Sequence, residues 1–367
     1  MNEIIEPGLR RGAVTAPPSK SHEHRLLIAD FLAGDDTRLV DSEADSDDIR
    51  ATKRCLRVLR TDEANPLLDC GESGSTRRFM APIAAALGRR PVFKTAGRLA
   101  SRPQIAYDDL KPGEFRLEGN VSSQFVTGLL FALPLLDGDS FIRFDSPLQS
   151  RGYVDMTLRV LIGAGIYVGV REDGFDIPGN QTFHAQKDLP VEGDWSGAAF
   201  WYGMNALGSN IDVSGLDPRS AQPDRVVVEL VRRISTAWTN ERVAVDVSGC
   251  PDLFPVLSVV AAGSPGETLF TGTRRLKIKE SDRTAAMADV LQKFGVSVEP
   301  AEDTFVVHGS ANPFHGGKFT SFADHRIAMS IAVGATRADG PVEMDDAACA
   351  AKSYPTFFAD FARLRKL

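Results

Sequence analysis

Ala16-Pro17-Pro18-Ser19-Lys20-Ser21-His22-Glu23-His24-Arg25 joins an extended segment to a helix. Two prolines end the extended part, and Ser19 is placed to cap a helix that carries Leu27, Ile28, Phe31 and Leu32 on one face. Lys20, Ser21 and Arg25 occupy its first turns. A helix N-terminus favours negative charge, so two cations and a hydroxyl there suit a carboxylate or phosphate. Taken alone, the segment equally fits a capped surface helix with ordinary basic residues.

The same pattern returns along the chain. A short polar loop rich in Gly and Ser leads directly into a helix with an apolar stripe. Gly71-Glu72-Ser73-Gly74-Ser75-Thr76 precedes Phe79, Met80, Ile83, Ala84 and Leu87; Gly119-Asn120-Val121-Ser122-Ser123-Gln124 precedes Phe125, Val126, Leu129, Leu130 and Leu133. Gly249-Cys250-Pro251-Asp252 precedes Leu253, Val256, Leu257 and Val260, and Phe322-Ala323-Asp324-His325-Arg326 precedes Ile327, Ala328 and Ile331. Each stripe has the i, i+3, i+4 spacing of a half-buried helix. Further helices are expected near Asp155 to Gly163, Ser196 to Ala206 and Ser281 to Phe294. Short strands are expected at Ser140 to Phe144, Ile211 to Val213, Arg242 to Val247, Thr268 to Thr271 and Phe305 to His308. A repeated supersecondary unit and an α/β architecture follow, with polar helix starts gathered on one side. The segment Val191-Glu192-Gly193-Asp194-Trp195 is a candidate boundary.

The whole chain sets limits. Its 367 residues suffice for two domains, and 43% hydrophobic with 25% charged residues describes a globular protein with a substantial core. No apolar run approaches the roughly 20 residues of a membrane helix, and the N-terminus has neither secretory nor transit character. A net charge of −7 argues against nucleic-acid binding through a broad basic surface. Cys55, Cys70, Cys250 and Cys349 lack metal-type spacing and read as reduced thiols. The expectation is a cytoplasmic protein with no membrane or nucleic-acid partner.

The polar residues at the helix starts form a set: cations Lys20, Arg25, Arg78, Arg283 and Arg326; hydroxyls and amides Ser21, Ser75, Ser122, Ser123 and Gln124; acids Asp252, Glu280 and Asp324. Arg102 and Lys352 lie in similar loops. Several cations with few acids suit a pair of anionic ligands. Each signal is weak singly. Gly71 to Ser75 lacks the spacing and lysine of a nucleotide phosphate loop, which leaves a nucleotide-dependent phosphoryl transferase without its loop or an acidic metal pair. Asp324-His325-Arg326 also fits an internally satisfied ion pair. In Lys277-Ile278-Lys279-Glu280-Ser281-Asp282-Arg283, either Ser281 caps the following helix or Glu280 lies just before it with its carboxylate near the N–H groups. His308 and His315 have no evident partner.

In order, PPSKSHEHR, DCGESGSTRRF, SRP, VSSQF, SRGYVDMT, VEGDWSGAAF, CPDLFPV, KIKESDR, ADHRIAM and CAAKSYP resemble the 5-enolpyruvylshikimate-3-phosphate synthase family of enolpyruvyl transferases. The resemblance spans residues 17 to 355. It implies a two-domain enolpyruvyl transferase fold, each domain made of three repeated βαβαββ-type units in an inside-out α/β barrel, with the active site in the interdomain cleft. One domain would hold residues 18–192, the shikimate 3-phosphate side; the other would join 1–17 to 193–367, the side of the catalytic acid and base and of the phosphoenolpyruvate carboxylate. It implies transfer of the enolpyruvyl group of phosphoenolpyruvate to the 5-hydroxyl of shikimate 3-phosphate by a monomer, with no metal and no organic cofactor.

By motif match, Ser21 and Arg25 would hold the shikimate carboxylate, and Ser122, Ser123 and Ser150 its phosphate, with Gln124 and Tyr153 beside the ring or phosphate. Asp252 and Lys279 would meet the ring hydroxyls. Lys20, Arg102 and Lys352 would surround the phosphoenolpyruvate phosphate near the Gly74 backbone, with Gln124 in reach of that substrate as well; Arg283 and Arg326 would clamp its carboxylate. Glu280 would be the acid, Asp252 the base, and Lys20 a further proton carrier, with Arg78, Asp324 and His325 in support.

The sequence departs from the family at Glu72, at Arg275, at Gly152, and at Ala221-Gln222-Pro223-Asp224 where a Gln-Gly-Asp turn is common; it is also shorter than most members. The UDP-N-acetylglucosamine enolpyruvyl transferases share the fold but have Lys-Asn at the first motif and a reactive Cys five residues before the Arg-Pro pair. Ser21 and Gly97 stand at those places. A non-catalytic relative that only binds an anionic metabolite would be expected to lack one of Lys20, Asp252, Glu280 or Lys352, and all four are present.

Overall fold

The computed structural model describes residues 2–236 and 242–367. The chain divides into two compact units, Lys20–Val191 and the segment through Ser19 combined with Glu192–Leu367. Each has its own apolar core.

In the second unit the interior is helical. Helices Phe254–Ala262 and His325–Ala335 have every residue buried, and they pack on each other and on Trp195–Ala206. A helix apolar on all sides has no face for water, so it becomes the centre and the sheets lie outside it. Three sheets do this. Arg10–Thr15 is flanked by Arg365–Lys366 and by Asn210–Ser214. Glu3–Ile5 joins Val342–Met344 and Gly317–Phe319. The third sheet orders its strands Arg242–Asp246, Gly266–Thr271, Thr304–Gly309, Ser297–Pro300, with the first pair parallel and the rest antiparallel.

The unit Lys20–Val191 repeats that last topology in Glu114–Glu118, Ser140–Ser146, Gly174–Ile177 and Gly169–Val170, again one parallel pair followed by antiparallel ones. The repeat expected from loop-helix periodicity is therefore present as matching sheets with little shared sequence. This unit forms only one other sheet among the described residues, the pair Leu67–Gly71 and Val92–Thr95. Helices Lys20–Leu32, Asp47–Leu59, Gly74–Ala86, Ser123–Ala132 and Arg151–Gly163 fill its core. Helices Gly74–Ala86 and Ser123–Ala132 approach closely because Gly128 has no side chain: a Cβ there would lie 2.6 Å from the Arg78 carbonyl oxygen.

Ser73, Ser122, Asp194 and Asp324 cap their helices, each accepting from a backbone N–H of the first turn. One cap is shifted. Asp282, not Ser281, accepts from Ala285 N at 3.1 Å, because the Ser281 hydroxyl donates to Asp324 at 3.0 Å. Ser19 donates to Gln222 Oε1 at 3.1 Å, and the same oxygen accepts from Trp195 N at 3.0 Å. The Gln222 amide also donates to Gly193 O at 2.8 Å. The turn that departs from the family pattern thus ties together both points at which the chain passes between the units. His308 and His315 do have partners, Glu299 at 2.9 Å and Asp339 at 3.4 Å.

Candidate active site

In the unit Lys20–Val191 the predicted residues gather at four helix starts. Lys20 begins its helix, and its ammonium donates to Asp48 Oδ2 at 2.9 Å with both side chains largely buried. Asp48 was not foreseen from the sequence. It sits in the first turn of Asp47–Leu59, where a carboxylate is favoured by the helix dipole.

Arg25 is buried, and burial pushes its guanidinium down to about 10. It donates to Ser21 O at 2.5 Å, Thr157 Oγ1 at 2.8 Å, Tyr153 O at 2.8 Å and Thr127 Oγ1 at 3.5 Å. Most of its donor capacity therefore fastens three helices together, and one Nη1–H remains for a ligand.

Gly74 opens the next helix behind the Ser73 cap. A Cβ on Gly74 would lie 3.0 Å from Arg78 Nη1 and 3.1 Å from Arg102 Nη1, so both guanidiniums crowd this helix start. Arg78 donates to Gln124 Oε1 at 2.6 Å and to Pro103 O at 3.0 Å, and Gln124 Nε2 donates to Ser75 Oγ at 2.8 Å. Free backbone N–H groups, two arginines and an oriented amide make an anion site. Glu72 lies directly over Gly97, which has φ +55°, and any side chain at position 97 would collide with that carboxylate.

Ser122, Ser123 and Ser150 are drawn toward one another by two touching loops. Gln149 N donates to Gly119 O at 3.0 Å, and a Cβ on Gly119 would lie 2.9 Å from Leu148 backbone atoms. Ser150, at the start of Arg151–Gly163, is left-handed with φ 55°, a conformation costly for a residue with a side chain. Tyr153 follows it in the same helix.

Behind these groups runs a buried hydroxyl chain that the sequence did not reveal. His24 Nδ1 meets Thr52 Oγ1 at 2.8 Å, Thr52 meets Thr76 Oγ1 at 2.7 Å, and Thr76 meets Ser73 Oγ at 2.7 Å. Burial first, and then Lys20 and Arg25, push His24 down to about 3 against the pull of Asp48, so the ring is neutral.

In the unit containing Glu192–Leu367 the site is an interlocked set of charges. Arg283, 1% exposed, donates to Asp324 Oδ2 at 2.9 Å, to Asp252 Oδ1 at 2.7 Å and to Glu280 Oε2 at 3.1 Å. Asp252 also meets Arg326 Nη2 at 2.9 Å and Lys279 Nζ at 3.6 Å. Burial opposes the charge on Asp252, but Arg326, Lys279 and Arg283 outweigh it and hold the carboxyl well below the ordinary range. Burial likewise opposes Asp324, which Arg283 keeps low. Lys279 is pushed down to about 8, chiefly by burial.

The triplet Asp324-His325-Arg326 is not internally satisfied: Asp324 serves Arg283 and Arg326 serves Asp252. His325 Nδ1 lies 3.7 Å from Asp324 Oδ1. Lys352 is buried at the end of the turn Ala348–Lys352, which packs on His325–Ala335. The expectation of few acids fails here, since each arginine faces at least one carboxylate. Asp224, another unforeseen group, is buried and accepts from Ser196 Oγ; burial and the charge of Asp252 push it up to about 6. Among the described residues no group of His, Cys, Asp and Glu is arranged to hold a metal, and no helix is long and apolar enough to cross a membrane.

Comparison with known proteins gives a consistent result. Residues 100–361 match the family model described as EPSP synthase (3-phosphoshikimate 1-carboxyvinyltransferase). A 3-phosphoshikimate 1-carboxyvinyltransferase of Clostridium kluyveri is 38% identical, with 98% of this chain and 96% of the relative covered; one of Clostridioides difficile is 36% identical with the same coverage. The Clostridium kluyveri alignment runs over 413 residues, more than the 367 of this chain, so internal gaps account for the shorter length. Among solved structures, an EPSP synthase from Acinetobacter baumannii superposes with a TM-score of 0.75 at 23% identity, covering 99% and 98% of the two chains. The enolpyruvyl transferase NikO from Streptomyces tendae has a TM-score of 0.67 at 14% identity, covering 99% and 97%.

Proposed function

From a chain that belongs to the EPSP synthase (3-phosphoshikimate 1-carboxyvinyltransferase) family, we infer an enzyme that transfers the enolpyruvyl group of phosphoenolpyruvate to the 5-hydroxyl of shikimate 3-phosphate and releases phosphate. The observation that carries this reading is a built anion site in one unit and a fixed cluster of acids on buried arginines in the other. One unit offers capped helix starts with Lys20, Arg78 and Arg102; the other holds Asp252, Glu280 and Lys279 on buried arginines.

In this reading, Ser122, Ser123 and Ser150 bind the phosphate of shikimate 3-phosphate, and Gln124 and Tyr153 lie beside it. Ser21 and the remaining Arg25 N–H bind its carboxylate. Lys20, Arg102, Lys352 and the Gly74 backbone N–H receive the phosphate of phosphoenolpyruvate. Arg283 and Arg326 face its carboxylate.

The reaction needs a proton placed on C3 of phosphoenolpyruvate, which leaves C2 electron-deficient. The shikimate 5-hydroxyl then attacks C2 as its own proton departs. Loss of phosphate from C2 and of a proton from C3 restores the enol ether. Glu280 supplies and recovers the C3 proton. Asp252, fully ionised because of its three cationic neighbours, accepts the hydroxyl proton. Lys279, 3.6 Å from Asp252, helps to hold that carboxylate ionised, and the proton Asp252 takes up leaves with the released phosphate. Arg283 holds both carboxylates in fixed orientation, so the acid and the base are set before the substrates arrive.

The test separates binding from proton transfer. Glu280→Gln keeps the shape and an acceptor for Arg283 but cannot donate the acid proton. Its kcat should fall by about 10²–10⁴ with little change in KM. A parallel rise in KM with kcat preserved would make Glu280 a binding residue and remove it from the mechanism.

A further inference from the structure

The sheet formed by Arg10–Thr15, Asn210–Ser214 and Arg365–Lys366 carries a feature that the catalytic reading does not use. Strand residues alternate between faces, so Arg11 and Ala13 point away from the face that carries Val14 into the core. The register sets Arg365 directly opposite Arg11, and Arg11 beside Asn210. Arg363 precedes this strand. These side chains line a recess of about 450 Å³ together with Gly12, Ala13 and Asp212.

Three arginines in one recess are unusual on a chain of net charge −7. Like charges directly opposed across two strands destabilise the pair. Arg363 has a carboxylate, Asp360, at 3.1 Å. Neither Arg11 nor Arg365 has a side-chain partner among the described residues, and Asp212 lies beyond ion-pair distance of both. The recess therefore carries uncompensated positive charge, together with Asn210 and Asp212 as groups able to accept from hydroxyls. Its volume falls in the range of small-molecule sites. Guanidinium forks match phosphate oxygens in pairs, whereas lysines would not.

We propose that this recess binds a small phosphorylated metabolite, the arginines Arg11, Arg365 and Arg363 taking its phosphate oxygens and Asn210 with Asp212 its hydroxyls. The site is separate from the catalytic groups: none of its lining residues belongs to the charge cluster around Asp252 or to the helix starts that carry Lys20, Gly74 and Ser123. A ligand there relieves the repulsion between Arg11 and Arg365, so binding stabilises this sheet.

Inorganic pyrophosphate is the probe, titrated calorimetrically into the full-length protein at constant ionic strength. The wild type, Arg11→Gln/Arg365→Gln and Arg326→Gln are compared, each with its thermal melting. The double variant should lose one class of pyrophosphate binding, with affinity reduced at least tenfold. It should melt no lower than the wild type without ligand, because repulsion has been removed, and should release phosphate from the substrates at the wild-type rate. Arg326→Gln should retain the recess class. Pyrophosphate binding equal in wild type and double variant overturns the proposal, as does loss of that binding in Arg326→Gln alone.

Discussion

Asp324→Asn is the most discriminating change to the charge cluster. Asp324 is fully buried and bonds to Ser281, to two nitrogens of Arg283 and to the backbone N of Arg326. Asparagine caps helices as well as aspartate does, so the cap survives and only the charge is removed. Breaking a buried ion pair costs about 3–5 kcal/mol when its partner is left behind. Arg283 keeps Asp252 and Glu280, which places the expected loss near the lower figure, about 3 kcal/mol, or about 150-fold in the folding equilibrium. Urea unfolding followed by intrinsic fluorescence measures it, because Trp195, Trp201 and Trp238 all follow Glu192 in the sequence.

The pH dependence carries a sign. The folded-state pKa of Asp324 is depressed, so its stabilisation is complete above the ordinary carboxyl range and disappears as pH falls through the depressed value. The gap between wild type and variant should be constant from pH 8 to about 5, shrink below about 4, and close at still lower pH. A gap under about 1 kcal/mol at pH 7, or one that widens toward acid, would falsify the view of Asp324 as the anchor of Arg283.

Two further outcomes follow from the other unit. Asp48→Asn leaves the largely buried Lys20 without its anionic partner, so kcat/KM should drop at least about tenfold and the melting temperature should fall as well; wild-type turnover in this variant would remove Asp48 from the site. Gly74→Ala places a methyl 3.0–3.1 Å from the Arg78 and Arg102 guanidiniums, in a helix that favours alanine by about 0.5–1 kcal/mol. Its stability should hold or rise while KM for phosphoenolpyruvate increases, and steady-state kinetics with an unchanged KM would show that neither arginine serves that substrate.

What could be read from sequence divides along physical lines. Helix starts were legible because caps and 3.6-residue spacing are local: Ser73, Ser122 and Asp324 all cap as their types suggest. The error at Ser281 and Asp282 is instructive, since both are good caps and adjacent. A residue more than forty positions away, Asp324, claims the Ser281 hydroxyl and leaves the cap to Asp282. The anion-binding character of the first motif was also visible, but the division of labour within it was not. Arg25 is bound by Thr127, Thr157 and Tyr153, all more than one hundred residues distant, and Lys20 by Asp48.

Counting charges at loop ends gave an excess of cations because the carboxylates that balance them arrive through tertiary contacts. Asp48 lies in a stretch with no motif of its own, and Asp224 in a turn noted only for its departure from the family pattern. A carboxyl pushed up to about 6 by burial and then by Asp252, as Asp224 is, has no local signature.

Phosphate release on mixing the purified protein with phosphoenolpyruvate and shikimate 3-phosphate tests the account most directly. Release should require both substrates and should match, mole for mole, the appearance of 5-enolpyruvylshikimate 3-phosphate. Release without shikimate 3-phosphate, or none with both present, would contradict it.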